Sequence, residues 1–247
     1  MNRWSMLIVG LLLYVVALIA MAPATLVDAG LQRVSQGRLR LVQAQGSVWS
    51  GSGQIEIRDA NGRSGVAKNV TWRLVPQSLL RGHVVCEVGL DQSARVFPVT
   101  VSFSRIELAD ADLTFPATVL GLGVPKLAPL GLTGDVLIHV ASLSITREAV
   151  DGTATLRWLA AGSTLTSVSP LGDYEVRLDG EGMTVHAYLR TIEGPLWLDG
   201  KGSWKQGAKP EFLAMARVLP QQEPQLAPLL RLIAVERGEG RFELQLN

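Results

Sequence analysis

The chain has 247 residues, with 23 Lys and Arg against 22 Asp and Glu, for a net charge of +1. That length can bury a sizeable core, as one large domain or two small ones. Near-neutral charge without a basic patch removes the electrostatic case for a nucleic-acid partner. The single cysteine, Cys86, excludes an intramolecular disulfide framework and any Cys-based metal site.

Charged residues make up 18 % of the chain, below the usual quarter, and part of that deficit lies at the N-terminus. Ser5 to Ala22, SMLIVGLLLYVVALIAMA, carries no charge and is closed by Pro23. At about 1.5 Å per residue such a helix approaches the hydrocarbon thickness of a bilayer. It predicts a transmembrane signal anchor over residues 5–22, a cytoplasmic tail at 1–4 and an exported body over 23–247. A cleaved signal peptide is the rival, because Ala20-Met21-Ala22 has the small-x-small form of a cleavage site, although its apolar core would be long. Only Arg3 precedes the span while Arg33, Arg38 and Arg40 follow it, so the positive-inside count opposes an outward body. A long following domain translocates largely regardless of that count, and the expected topology stays N-in, body-out.

Ala24–Val34 has helical character, and from there the body reads as strands. Ile55 and Ile57 alternate with polar neighbours, as do Val70, Trp72 and Leu74, then Phe97, Val99, Val101 and Phe103. The same period of two recurs at Val136-Ile138-Val140, Ala154-Leu156-Trp158, Tyr174-Val176-Leu178, Met183-Val185-Ala187-Leu189 and Phe242-Leu244-Leu246. Runs of this kind, separated by Gly, Asn, Asp and Pro, predict half-buried antiparallel strands. Asp110 and Asp112 are expected in a turn, and Asp151-Gly152 and Asp179-Gly180 as hairpin turns. Phe115–Leu132 and Pro220–Ala234 are apolar and proline-punctuated, which predicts short helices. Each lies between extended segments and is followed by glycine, so a degenerate duplication is expected, with half-repeats 23–145 and 146–247. The fold class is all-β: an N-terminal transmembrane helix, then an open, curved antiparallel sheet with one or two short helices.

Chemical motifs are sparse. In GSVWSGSG (residues 46–53) Gly46 and Gly51 have the first spacing of a P-loop, but Ser52 stands where lysine belongs and a strand follows. Ser50 and Ser52 also fail the Gly-x-Ser-x-Gly spacing of a nucleophile elbow. The stretch reads instead as a corner between strands, with Trp49 packed over it and Gly46 and Gly51 supplying unusual backbone angles. His83, His139 and His186 lie far apart without metal-ligand spacing, and His139 and His186 point to the outer face. Carboxylates are scattered; converging strands leave glycosidase-type chemistry open at this level. No catalytic, metal or cofactor-binding residues are expected.

The order of several motifs resembles the N subunit family of the bacterial type II (general) secretion system. They are Gly46-Ser47-Val48-Trp49-Ser50-Gly51 after the hydrophobic segment, Trp72-Arg73-Leu74-Val75-Pro76 and Leu79-Leu80-Arg81-Gly82. Further on stand Leu171-Gly172-Asp173-Tyr174, Gly194-Pro195-Leu196 and Gly200-Lys201-Gly202-Ser203-Trp204. Each motif is weak alone; their order along most of the chain is fairly specific. The resemblance implies a non-enzymatic accessory subunit of a Gram-negative envelope. It would be single-pass in the inner membrane, with a periplasmic body that docks other inner- and outer-membrane secretion components and supports export of folded proteins. It also implies that Gly46, Val48, Trp49, Gly51, Trp72, Pro76, Leu79, Leu80, Gly82, Leu171, Gly172, Tyr174, Gly194, Gly200 and Trp204 are structural positions. A looser similarity, to larger periplasmic proteins with lipid-holding β-grooves, leaves a second expectation: an apolar groove that binds or bridges acyl chains.

Overall fold

The computed structural model describes residues 3–58, 64–91, 95–205, 208, 211–219, 221–232, 234–238 and 240–246. Met1 and Asn2 of the expected tail, and Pro220 of the second proline-punctuated stretch, lie outside them. The chain forms two compact units, Met1–Ala94 and Arg95–Asn247.

The first unit begins with helix α1 (Arg3–Ala20), whose Leu7, Ile8, Leu11, Leu12 and Leu13 are each more than 60 % exposed. No helix among the described residues is long and apolar enough to cross a membrane. Helix α2 (Thr25–Val34) follows, then strands β1 (Leu39–Gly46), β2 (Ser50–Arg58) and β3 (Ser64–Val75), the one-turn helix α3 (Pro76–Leu79) and β4 (His83–Leu90). The four strands form an antiparallel meander in sequence order. Val27 and Leu31 on one side of α2 pack against a core of Ala24, Leu41, Val70 and Trp72. Asp28 Oδ1 of the same helix accepts the Leu41 N–H at 2.8 Å, satisfying a donor on the outer edge of β1.

The second unit contains β5 (Val96–Ser102), β6 (Arg105–Pro116), α4 (Thr118–Gly123), a 3-10 segment Pro125–Leu130, β7 (Leu132–Thr146) and β8 (Val150–Ser163). It continues with β9 (Gly172–Glu181), β10 (Thr184–Glu193), β11 (Leu196–Lys205), β12 (Glu211–Val218), α5 (Glu223–Leu230), β13 (Ala234–Gly238) and β14 (Arg241–Leu246). These strands too are neighbours in sequence order, except that β14 lies between β12 and the short edge strand β13. The period-2 residues place Val136, Phe242 and Ala216 at zero exposure on one face, where Leu226, Leu229 and Leu230 of α5 cover them. Both proline-punctuated stretches therefore fold into the expected short helices. Open antiparallel sheet with few helices is the architecture of each unit.

Several sequence expectations need correction. Asp110 and Asp112 lie within β6, not in a turn, and Asp110 takes φ +49°. Asp151-Gly152 and Asp179-Gly180 are inside β8 and β9. Gly152 and Gly180 face each other within the ladder, and the turns lie outside the Asp-Gly pairs, at residues 147–149 before β8 and at 182–183 after β9. In the Phe97–Phe103 run only Phe97 is buried; Val101 is 40 % exposed although paired with Ile106 of β6, and Phe103, beyond the strand, is fully exposed. Met183 is in a turn rather than in β10.

Alternation on β7 gives a direct test. Val136→Asp should cost several kcal/mol by burying an unpaired charge, whereas Leu137→Asp on the opposite face should change urea stability by less than about 1 kcal/mol. Equal losses would mean that the faces are misassigned.

Candidate functional site

The 46–53 corner holds the end of α1. Gly46 turns at φ +92°, where an added Cβ would stand 2.5 Å from the Ser50 carbonyl oxygen. Ser47 Oγ then accepts N–H groups from Trp49 and Ser50. From this turn the Val48 N–H donates to Ala22 O at 2.9 Å, and the Trp49 indole Nε1–H donates to Ile19 O at 2.9 Å. The corner thus supplies two donors just at and beyond the end of α1, where helical carbonyls run short of intrahelical partners. Trp49 is only half-buried and reaches toward the helix, correcting its expected place over the sheet edge; Ile19, Ala20, Trp49 and Pro76 border one hollow. The buried ring is Trp72, 8 % exposed, whose Nε1–H donates to Ser47 O at 3.2 Å. Gly51 is needed for closeness rather than for a positive φ, since a Cβ there would collide with the Trp72 ring and Gln45 O. At the following turn Ser78 is buried, donating to Val75 O and accepting from Val85 N–H, while Gly82 takes φ +76°. Leu79 and Leu80 are exposed there.

Leu171, Gly172, Tyr174 and Gly194 meet in a second corner, in the second unit. Tyr174 is 2 % exposed, and its hydroxyl lies 3.1 Å from Leu171 O and 2.9 Å from Leu196 O. Gly172 (φ +153°) and Gly194 (φ +129°) sit back to back, with a Cβ on either meeting backbone of the facing strand. Burial of the Tyr174 phenol, and secondarily the Asp173 charge, push its pKa up and keep it neutral. Gly200 passes close to Ala214 on β12, and Trp204 on β11 is half exposed. The motif residues thus centre on two corners, one per unit, with Leu79, Leu80 and Gly82 at a further turn and Gly200 and Trp204 on β11.

Beside the second corner, between the sheet and its helical cover, lies an apolar cavity of about 240 Å³. Leu127 and Leu130 of the 3-10 segment and Leu229 and Leu230 of α5 form its cover; Leu156, Trp158, Tyr174, Val176, Leu198 and Phe212 are among the strand residues beneath. The alternating apolar residues of β8 and β9 were legible in the sequence. The cavity was not, since it depends on where α5 settles.

Two charged clusters lie on the other faces of the strands. Glu175 is 8 % exposed; it accepts from Arg157 Nε at 2.9 Å and from Arg190 Nε at 2.9 Å. Arg157, opposed by burial and helped by Arg190, holds the Glu175 carboxyl below the usual carboxylate range. Asp112 accepts from His139 Nδ1 at 2.7 Å and from Arg95 at 3.2 Å, and His139 foremost lowers its pKa. This confirms His139 on the exposed face and gives Asp112 a partner that sequence spacing did not reveal. Burial raises the Cys86 thiol pKa, making it a poor nucleophile. No group of three or more His, Cys, Asp or Glu among the described residues is placed to hold a metal ion.

Two measurements check these assignments. Trp72→Ala should cost about 3–5 kcal/mol and Gly51→Val should be comparably harmful, while Ser50→Ala, on an exposed hydroxyl, should leave the melting temperature within a degree or two. Glu175 has a lowered folded pKa, so its stabilisation is complete above the unfolded carboxylate value of about 4.3 and is lost as pH falls through the folded value. Glu175→Gln should therefore melt lower at pH 7 and lose less stability than the native chain between pH 5 and pH 3.

The chain matches no curated protein and no solved structure. It does match the family Type II secretion system (T2SS), protein N, over residues 37–245, a stretch that takes in both corners and every strand of the sheets except the outermost residue of β14. That span covers most of the chain, so the protein belongs to the type II secretion system protein N family.

Proposed function

We propose that the chain is a non-enzymatic accessory subunit of the type II secretion system, held in the inner membrane by α1. Its β-rich body would stand in the periplasm and dock other secretion components during export of folded proteins. Membership of the protein N family over residues 37–245 carries this reading.

The anchor draws support from the exposed leucines of α1 and from the corner that grips its C-terminal end. Eighteen residues of helix span about 27 Å, slightly less than the hydrocarbon core. Met21 and Ala22 extend the apolar length beyond Ala20, and a bilayer accommodates a small mismatch by thinning locally. With α1 embedded, the corner would transmit the position of the membrane to the sheet through two hydrogen bonds and the Pro23–Ser47 bridge. The second expectation from sequence, an acyl-chain carrier, is favoured by the apolar cavity of the second unit.

The test combines topology with partners. A periplasm-active reporter fused after residue 247 should be active, and the chain should remain in the inner-membrane fraction after carbonate extraction. A soluble periplasmic product beginning near Ala22 would replace the anchor with a cleaved leader, and an active cytoplasmic reporter would overturn the localisation. Photocrosslinkers at exposed Trp197 and Leu213 should capture secretion components in cells. Unimpaired secretion from a deletion strain would refute the accessory role.

A further inference from the structure

We propose that the cavity of the second unit takes the alkyl chain of a lipid, to a depth of about nine or ten carbons, and leaves the headgroup outside. This rests on the second reading above, an acyl-chain carrier, and deepens it with a depth and an orientation; it is independent of the secretion reading and of whether α1 anchors the chain.

The occupant follows from the lining. Among the described lining residues, three side chains (Ser163, Tyr174 and Trp158) carry a nitrogen or oxygen, and the backbone already engages each one. Ser163 Oγ donates to Leu130 O and accepts from Leu165 N–H; the Tyr174 hydroxyl is held by Leu171 O and Leu196 O; Trp158 Nε1–H donates to Thr133 O. The remaining lining is aliphatic or phenyl. A carboxylate, amide or sugar entering here would lose its water and recover no hydrogen bond. Water fares no better, since a buried molecule needs two to four polar partners. Hydrocarbon is the chemistry that this space accepts.

Size sets the depth. An apolar cavity of about 150 Å³ holds the six carbons of benzene; in proportion, 240 Å³ holds about nine or ten. The cover is made of short segments interrupted by Pro129 and Pro228, each of which removes a backbone donor from its helix. It joins β7 through Gly131 in the left-handed region. Each proline thus weakens the backbone ladder of the cover, which favours the local opening that admits a chain.

The experiment uses the full chain, exchanged from detergent into an amphipathic polymer so that no detergent tail competes. The probe is 11-bromoundecanoic acid, whose bromine quenches a tryptophan in contact with it, and Trp158 lines the cavity. Saturable quenching is expected, with its amplitude much reduced in Trp158→Phe. Unlabelled saturated fatty acids should displace the probe about fourfold more strongly per added methylene, rising to near ten carbons and then levelling. Ala214→Phe, which places a ring in the space, should abolish binding in a protein with a native circular dichroism spectrum; if that variant does not fold, Val176→Phe serves. Non-saturating quenching, quenching unchanged in Trp158→Phe or in a folded filled variant, or competition that climbs steadily past fourteen carbons would overturn the proposal. The last result would show partition into polymer rather than occupation of a cavity of fixed length.

Discussion

An antiparallel sheet has two faces and two edges, and a stable one must cover at least one face with apolar material. This requirement organises both units. In the first, α2 lies against β1: Val27 and Leu31 cover the core, and Asp28 closes the backbone donor of Leu41. In the second, ten strands share three short helical segments as cover, concentrated around Leu226, Leu229 and Leu230. The cover is well packed at Val136 and Phe242 and incomplete over β8 to β12, which is where the cavity opens. Near the end of β5, Val101 and Phe103 are exposed among the described residues.

The two glycine-containing corners solve a different problem by similar means. Each brings backbone segments closer than a side chain permits and adds an aromatic donor to backbone carbonyls. In the first, Gly46 and Gly51 make the approach, and the indoles of Trp49 and Trp72 donate to Ile19 O and Ser47 O. In the second, Gly172 and Gly194 make it, and the Tyr174 phenol serves Leu171 O and Leu196 O. An amphipathic aromatic suits both positions, because its ring joins the apolar core while its one polar atom reaches the backbone. In both corners the glycines set the approach and the aromatic ring adds the polar contact.

The charged clusters belong to the same economy of structure. Glu175 between Arg157 and Arg190, and Asp112 between His139 and Arg95, are cross-strand contacts on faces that the helices do not cover. They join neighbouring strands laterally where apolar contacts are few. Arg157 and Arg190 are more than half exposed at their side chains, so solvent moderates their contribution.

What the sequence alone determined is local. Period-2 alternation identified β2, β3, β7, β8, β9 and β14, proline and glycine spacing located α4 and α5, and ordered motifs identified the family. These features depend on side-chain type at short range. What the tertiary structure decided depends on which segments meet. Trp49 serves α1 rather than the sheet edge because residues 46–49 return to Ile19 and Ala22, some thirty positions earlier. The hairpins turn at residues 147–149 and 182–183, outside the Asp-Gly pairs, because the β8–β9 ladder runs through Gly152 and Gly180. The cavity exists because the leucines of a short helix late in the chain stop short of strands laid down far earlier, and periodicity along one segment carries no information about the space left between two.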